Sequence, residues 1–326
     1  MVQALDRRSL LAGGAALLAA PAIVRAQAWP EGRTITLIVP FPPGGGTDVV
    51  TRIVSDRLAA AMKARLVIEN RPGGGGSIGY LSAIKALPDG STMMLTSSAL
   101  ATMSSLYPTK GYDPMRDLVP VSLVGTAASM VCVGPSVKAG TLKEFIADAK
   151  ARPGELTYAS AGIGSGLHLA SELFKKMAGV DIKHVPYKGA TQATGDLLGG
   201  RIDMITDSIP SVKPLVEDGK LRALGITSPR RSRLAPDVAP VGETVPGYDY
   251  EAWFGLFLPA KAPPGMAEQV HAALASVYTQ PDLEPRVSVL GIETKAMPPA
   301  EFRPFVEADI ARWAKLIREL GITADG

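Results

Sequence analysis

Cysteine is all but absent: Cys132 stands alone in a chain of 326 residues, inside the apolar run Met130-Val-Cys-Val133. A single thiol excludes an internal disulfide, so stability in an oxidising compartment has to come from an apolar core, which roughly 300 residues can supply. Histidine is nearly as scarce. His168, His184 and His271 are far apart, and none stands at a His/Cys/Asp spacing that ligates metal, so no metal site is expected. An excess of charge of one sign is missing too. The formal net charge is +3, and the first 26 residues hold Arg7, Arg8 and Arg25 against Asp6, which leaves the remainder near +1. That balance speaks against a nucleic-acid partner. Cofactor fingerprints are also wanting. No Gly-Lys-Ser or Gly-Lys-Thr follows the glycines at 44–46, and Val49 stands where a dinucleotide loop needs its last glycine, so no cofactor is expected.

Long apolar runs that would span a bilayer are lacking at the N-terminus. The alanine-rich run ending near Ile23 is broken by Gly13 and Gly14 and is shorter than the ~20 residues of a membrane span. With Arg7-Arg8 ahead of it and small residues around Ala26 or Ala28, it reads as a twin-arginine export signal, residues 1–26, cleaved near Ala26 or Ala28. Arg25, beside the cleavage site, disfavours the general secretory route. The expected destination is the periplasm.

What is present is organised around Thr34 to Lys63. Thr34-Ile-Thr-Leu-Ile-Val-Pro-Phe41 is apolar and β-branched, a strand covered on both faces. Pro42-Pro43-Gly44-Gly45-Gly46-Thr47-Asp48 then turns sharply, since glycines admit positive φ and close backbone approach. From Val49 the apolar residues fall at 49, 50, 53, 54, 58, 61 and 62, a helical spacing with Thr47 or Asp48 as the cap. Helix N–H groups and the positive end of the dipole therefore meet the carboxyl end of a strand, where α/β sheets bind ligands and where an anion fits. The alternative is a tight strand-to-helix connection with no ligand. Asp48 either contacts the ligand or satisfies helix N–H groups.

The pattern recurs along the chain. Strands at Leu66–Glu69 and Thr92–Thr96 end in a second glycine loop and in the hydroxyls of Ser97 and Ser98. A second set follows: a strand at Leu156–Ala159, the loop Ser160-Ala-Gly-Ile-Gly-Ser-Gly166, a helix, a strand at Ile182–Tyr187, and a strand at Ile202–Thr206 ending at Asp207 and Ser208. Two α/β domains facing one another are expected. The apolar runs Val119–Val133 and Asp249–Ala260 are the crossings between them, giving one lobe of residues 29–125 plus 255–326 and another of 126–254. Trp253, on the return crossing, is expected near the hinge or the cleft floor. Trp313, on the apolar stripe of the last helix, is expected away from the cleft. Ser228 to Arg233 reads as a solvated basic turn.

A hydrolase elbow would need glycine where Ile163 stands, two residues before Ser165. Ser165, His168 and Asp207 stay open as a triad only by their types, which keeps alive an enzyme, hydrolase or transferase, on the same two-lobed scaffold.

Several segments together resemble the Bug-type solute receptors of the tripartite tricarboxylate transporter family. They are Val39-Pro-Phe-Pro-Pro-Gly-Gly-Gly-Thr-Asp48, Glu69-Asn-Arg-Pro-Gly73, Pro88-Asp-Gly90, Tyr112-Asp-Pro114, Leu156-Thr-Tyr-Ala-Ser160 with Gly162, Gly164 and His168, His184-Val-Pro-Tyr-Lys-Gly189, and Leu221-Arg-Ala-Leu224. The resemblance implies the two-domain periplasmic binding protein fold (type II), with two α/β lobes joined by two crossing strands. It also implies a monomer that binds one small organic acid, a mono-, di- or tricarboxylate, and delivers it to membrane transporter subunits or to a sensor protein. In the family, loops resembling Phe41 to Asp48 (Phe41, Gly45, Gly46, Thr47, Asp48) and Ser160 to His168 (Ser160, Gly162, Gly164, Ser165, His168) grip the ligand from opposite sides. Ser97, Ser98 and Asp207, at strand ends, complete the expected site. Departures at Ala235–Val241 and Ala260–Pro264 lie away from both loops.

Replacing Arg7 and Arg8 by lysine is expected to leave unprocessed precursor in the cytoplasm. Fractionation and immunoblotting check it, and an unchanged periplasmic yield rules out the twin-arginine route.

Overall fold

The computed structural model describes residues 29–106, 112–163, 165–187 and 190–323; the export signal at 1–26 and Gly164 lie outside them. Strand β1 (Thr34–Val39) is buried on both faces. Ile35 and Leu37 pack with Val50, Val54 and Leu58 of helix α1 (Gly46–Met62), and Ile38 packs on the other side with Tyr80 of α2 (Ser77–Ile84). Covered faces on both sides explain why the strand shows no polar alternation. β2 (Arg65–Asn70) and β3 (Thr92–Ser97) flank it in parallel register, Thr34 opposite Arg65 and Thr36 opposite Thr92. After β3 the chain enters α3 (Ala99–Leu106), absent from the sequence expectation, and α4 (Pro114–Asp117), which Asp113 caps through the N–H groups of Met115 and Arg116.

The apolar stretch 119–133 divides at Ala128 into β4 (Leu118–Ala127) and β5 (Ser129–Val133), which belong to different sheets. The second sheet continues through α5 (Leu142–Ala151), β6 (Thr157–Ser160), α6 (Gly166–Ala178), β7 (Lys183–Pro186), α7 (Ala190–Leu198), β8 (Met204–Ser208), α8 (Ile209–Glu217) and β9 (Arg222–Ile226). The chain then returns through β10 (Ala252–Pro259), α9 (Met266–Val277), α10 (Leu283–Ser288), β11 (Glu293–Met297) and α11 (Pro299–Leu320). Strand order is β11-β4-β10-β3-β1-β2 in the first sheet and β7-β6-β8-β5-β9 in the second. Both sheets follow one plan: a central strand between two parallel neighbours, then an antiparallel strand beside the third, β10 next to β3 and β5 next to β8. The repeat lies in topology, with helices on the sheet faces as α/β lobes require.

The crossings run side by side. Ala252 pairs with Ala127; Ser129 N donates to Thr227 Oγ1 at 2.7 Å, and Tyr250 N donates to Thr227 O at 2.9 Å. Because this ladder continues past the expected boundaries, the first sheet keeps the chain to Ala127 and takes it back at Ala252. The 228–233 turn is tied down too. Ser232 Oγ donates to Glu293 Oε1 at 2.5 Å, and Arg233 pairs with Glu284 at 2.8 Å, so part of the expected solvated turn bridges to the first lobe's β11 and α10.

Trp253 anchors the last helix. Its buried indole donates to Asp309 Oδ2 at 2.9 Å among the rings of Phe257, Phe302 and Phe305, and Arg312 donates to Asp309 Oδ1 at 2.8 Å. Asp309→Ala removes the acceptor from both donors. It is expected to lower stability by about 2–4 kcal/mol, with Asp309→Asn losing less. Urea unfolding checks this, and a wild-type midpoint in the alanine variant refutes it.

Candidate functional site

Between the sheets lies a cavity of about 540 Å³. Four helices begin at its wall: α1 with Gly46 and Thr47, α3 with Ala99 just after Ser98, α6 with Gly166 just after Ser165, and α8 just after Ser208. A helix N-terminus leaves N–H groups without intrahelical acceptors and carries about half a positive charge. Thr47, Ser97, Ser98, Ser129, Ser165 and Ser208 add hydroxyls. Among the described lining residues there is no Arg, Lys, His, Asp or Glu. The wall is therefore an anion receptor made of backbone and hydroxyl groups.

The loop before α1 is held from behind. Gly44 takes a left-handed φ of +80°, and the helix is capped at Gly45 with no side-chain bond, which corrects the expected cap at Thr47 or Asp48. The Asp48 carboxylate accepts from Gly44 N, Arg52 Nε and Asn70 Nδ2, each at 2.9 Å, and Asn70 Nδ2 also donates to Phe41 O at 3.0 Å. Burial pushes this carboxyl up, but the hydrogen bonds from Arg52, Gly44 and Asn70 outweigh it and hold the pKa at about 2. Asp48 thus shapes the loop and, like Phe41 and Gly45, does not line the cavity.

The opposite loop is built likewise. Ser165 caps α6 by accepting the His168 N–H at 3.2 Å, and its O–H can still donate to the cavity. Ser160 Oγ accepts from Gly162 N at 3.1 Å and meets His184 Nε2 at 2.7 Å. Gly166 admits no side chain, because the Tyr250 hydroxyl lies 2.3 Å from where a Cβ would stand. His168 and His184 stack with ring centroids 4.2 Å apart, and Tyr158 stacks on His184 at 4.8 Å. The Tyr158 hydroxyl and Lys175 Nζ both donate to Glu172 Oε1 at 2.5 Å. Burial lowers the pKa of both histidines; His184, further lowered by His168, falls to about 4. Ser160 and His168 thus stand behind the cavity wall.

Asp207 pairs across the sheet with Met130 and shares its apolar face with Ile205, while Ser208, the next residue, lines the cavity. Its Oδ1 accepts the Ser208 N–H at 2.7 Å; its buried Oδ2 has no hydrogen-bond partner among the described residues, and burial pushes the carboxyl pKa up. Ser165, His168 and Asp207 do not assemble as a triad: Ser165 Oγ meets the backbone of His168, and the His168 ring stacks on His184.

Of the expected site residues, Gly46, Thr47, Ser97, Ser98, Gly162 and Ser165 line the cavity. Sequence reasoning missed Gly75, the α3 face of Ala99, Thr102, Met103 and Leu106, the crossing residues Ala127 to Ser129, and Tyr250, Ala252 and Phe254. Spacings of three and four in α3 were the available signal. The tryptophans exchange roles. Strand alternation on β10 turns Ala252 and Phe254 to the cavity and Trp253 away from it, whereas Trp313 of α11 reaches the wall.

Two α/β lobes around an anion-receiving cleft define a solute-binding receptor. The family model of the tripartite tricarboxylate transporter family receptor matches residues 50–322, and the chain belongs to that family. BugT of Bordetella pertussis is 36% identical over 307 residues, covering 93% of each chain. An R. palustris protein solved with adipate is 34% identical, with a TM-score of 0.74 over 90% of this chain and 99% of that one. MatC from Rhodopseudomonas palustris, solved with bound malate, is 29% identical, with a TM-score of 0.69 over 87% of this chain and 99% of that one. The family is one of periplasmic binding proteins, and the chain is a binding protein, not an enzyme. No described helix is long and apolar enough to cross a membrane.

His184 stays neutral in the folded state to about pH 4, while in the unfolded chain it protonates from about 6.5. Stability is therefore expected to fall as pH drops from about 6.5 toward 4, by up to about 3 kcal/mol at about 1.4 kcal/mol per tenfold change in proton affinity. Melting curves between pH 7.5 and 4.5 check it, and His184→Gln should flatten the dependence. An equal slope in both proteins overturns the assignment.

Proposed function

We propose that this receptor closes its two lobes, residues 29–127 with 252–323 and 128–251, on a small carboxylate. It acts as a monomer in the periplasm after twin-arginine export and cleavage near Ala26 or Ala28. It hands the carboxylate to the membrane subunits of a tripartite tricarboxylate-type transporter or to a sensor protein. One observation carries the ligand class: four helix N-termini and eight hydroxyl-bearing side chains are found on a wall that has no charged side chain among the described residues. A carboxylate replaces the water lost from those N–H groups; a neutral sugar would leave the summed dipoles uncompensated. Adipate and malate in the two related structures support the reading.

Malate and adipate are the first probes. A ligand bound only by the folded state adds about 2.7 kcal/mol at about 100 times its Kd, a melting shift of roughly 5–10 °C at about 2–4 °C per kcal/mol. At least one carboxylate is expected to give such a shift and glucose none. Thr47→Val should weaken binding by ~1.5–3 kcal/mol, the range for a hydrogen bond to a charged group, and Ser98→Asp should abolish it by like-charge repulsion. Shifts from glucose alone, or wild-type affinity in both variants, refute the anion site.

A further inference from the structure

We infer that the acid this cavity takes is amphiphilic: a carboxylate on a carbon-rich, unhydroxylated ring or chain, in preference to a polyhydroxylated acid or a tricarboxylate. The inference rests on the carboxylate-receptor reading and adds what the carboxylate is attached to.

The wall changes character along α3. Its N-terminus presents Ser98 beside the hydroxyls already described, and its cavity-facing residues then run Ala99, Thr102, Met103, Leu106. At 1.5 Å per residue, Leu106 lies roughly 10 Å further along the axis than Ala99. Met103 and Leu106 belong to one apolar cluster with Tyr250 and Trp313, which also line the cavity. Trp313 is 2% exposed and held edge-on to Tyr250 with ring centroids 5.8 Å apart, while the Arg312 guanidinium lies over its ring at 4.7 Å. Covered in this way, Trp313 backs the apolar part of the wall as a fixed ring and adds no polar group to it. Phe254 bounds the cavity from β10.

Anion donors sit where helices begin, and no described lining residue offers a cation for a second or third carboxylate placed against the apolar end. A carboxylate there would lose its hydration without a partner among the described residues, and hydroxyls of a sugar acid would lose theirs against Met103, Leu106 and Trp313. A hydrocarbon body loses nothing by entering the same space and displaces water from it.

The test measures calorimetric affinity of the mature protein for 3-phenylpropionate, cyclohexanecarboxylate and octanoate against citrate and tartrate, with Trp313 emission recorded in parallel. At least one amphiphilic acid is expected to bind tenfold or more tighter than citrate and tartrate and to shift an emission component that is lost in Trp313→Phe. Leu106→Lys is expected to weaken that acid at least tenfold and to narrow or reverse the preference over citrate. Melting curves establish that the variant is folded, and Leu106→Gln provides a milder substitution of the same sense. Citrate or tartrate binding as tightly as every amphiphilic probe overturns this inference and leaves the receptor reading standing. Failure of every carboxylate, malate and adipate included, overturns both.

Discussion

The pairing of the two crossing segments is the constraint on which the rest depends. Ala252 against Ala127 and Thr227 against Ser129 join the two sheets through β4 and β10 of the first and β5 of the second, with a common cavity between them. Every helix that starts at the cavity wall follows a strand of one of these sheets. Its N-terminus points into the cleft because the strand before it does. The cavity is thus a consequence of two repeated topologies joined at one ladder, and ligand sites at the carboxyl ends of strands are where that geometry leaves them.

The electrostatics of the site follow from keeping charge one layer back. Asp48 binds Gly44, Arg52 and Asn70; Glu172 binds Tyr158 and Lys175; neither carboxylate lines the cavity. These groups determine the path of the backbone, and the backbone supplies the donors. Among the described residues, a wall built this way offers donors to an anion without a charged side chain that would need its own neutralisation. The histidines belong to the same supporting layer. Stacked on one another and with pKa values lowered by burial, His168 and His184 pack behind the loop before α6.

Asp207 stands apart from these satisfied networks. One of its oxygens has no hydrogen-bond partner among the described residues, and it lies on the apolar side of β8 beside Ile205 and Met130. Burying an unpaired carboxyl favours its protonated form, which matches the upward direction of its pKa. Its neighbour Ser208 lies in the cavity wall. One step along a strand separates a wall residue from a core residue, and the type of side chain does not announce which is which.

The sequence by itself determined the elements whose signals are local. The covered strand β1, the glycine turn, the helical spacing from Val49, the loop from Ser160 to Gly166 and the stripe on α11 were all legible, and with them the α/β class and two lobes. Helices α3 and α8 were not. The first follows hydroxyls that read as a loop, and the second carries Pro210 and Pro214, which resemble punctuation until Pro210 is seen in the opening turn, where its missing N–H costs no bond. Only the tertiary structure decided which residues form the wall. Thr47 and Ser165 were found because helix N-termini carry their chemistry with them, and Ser98 because hydroxyls close the strand before it. Met103, Leu106, Tyr250, Phe254 and Trp313 were not, because an apolar side chain in a ligand cavity and one in the core have the same sequence pattern. The difference is whether another residue or a void lies opposite, and that is fixed by the crossing of the two sheets, which no local spacing records.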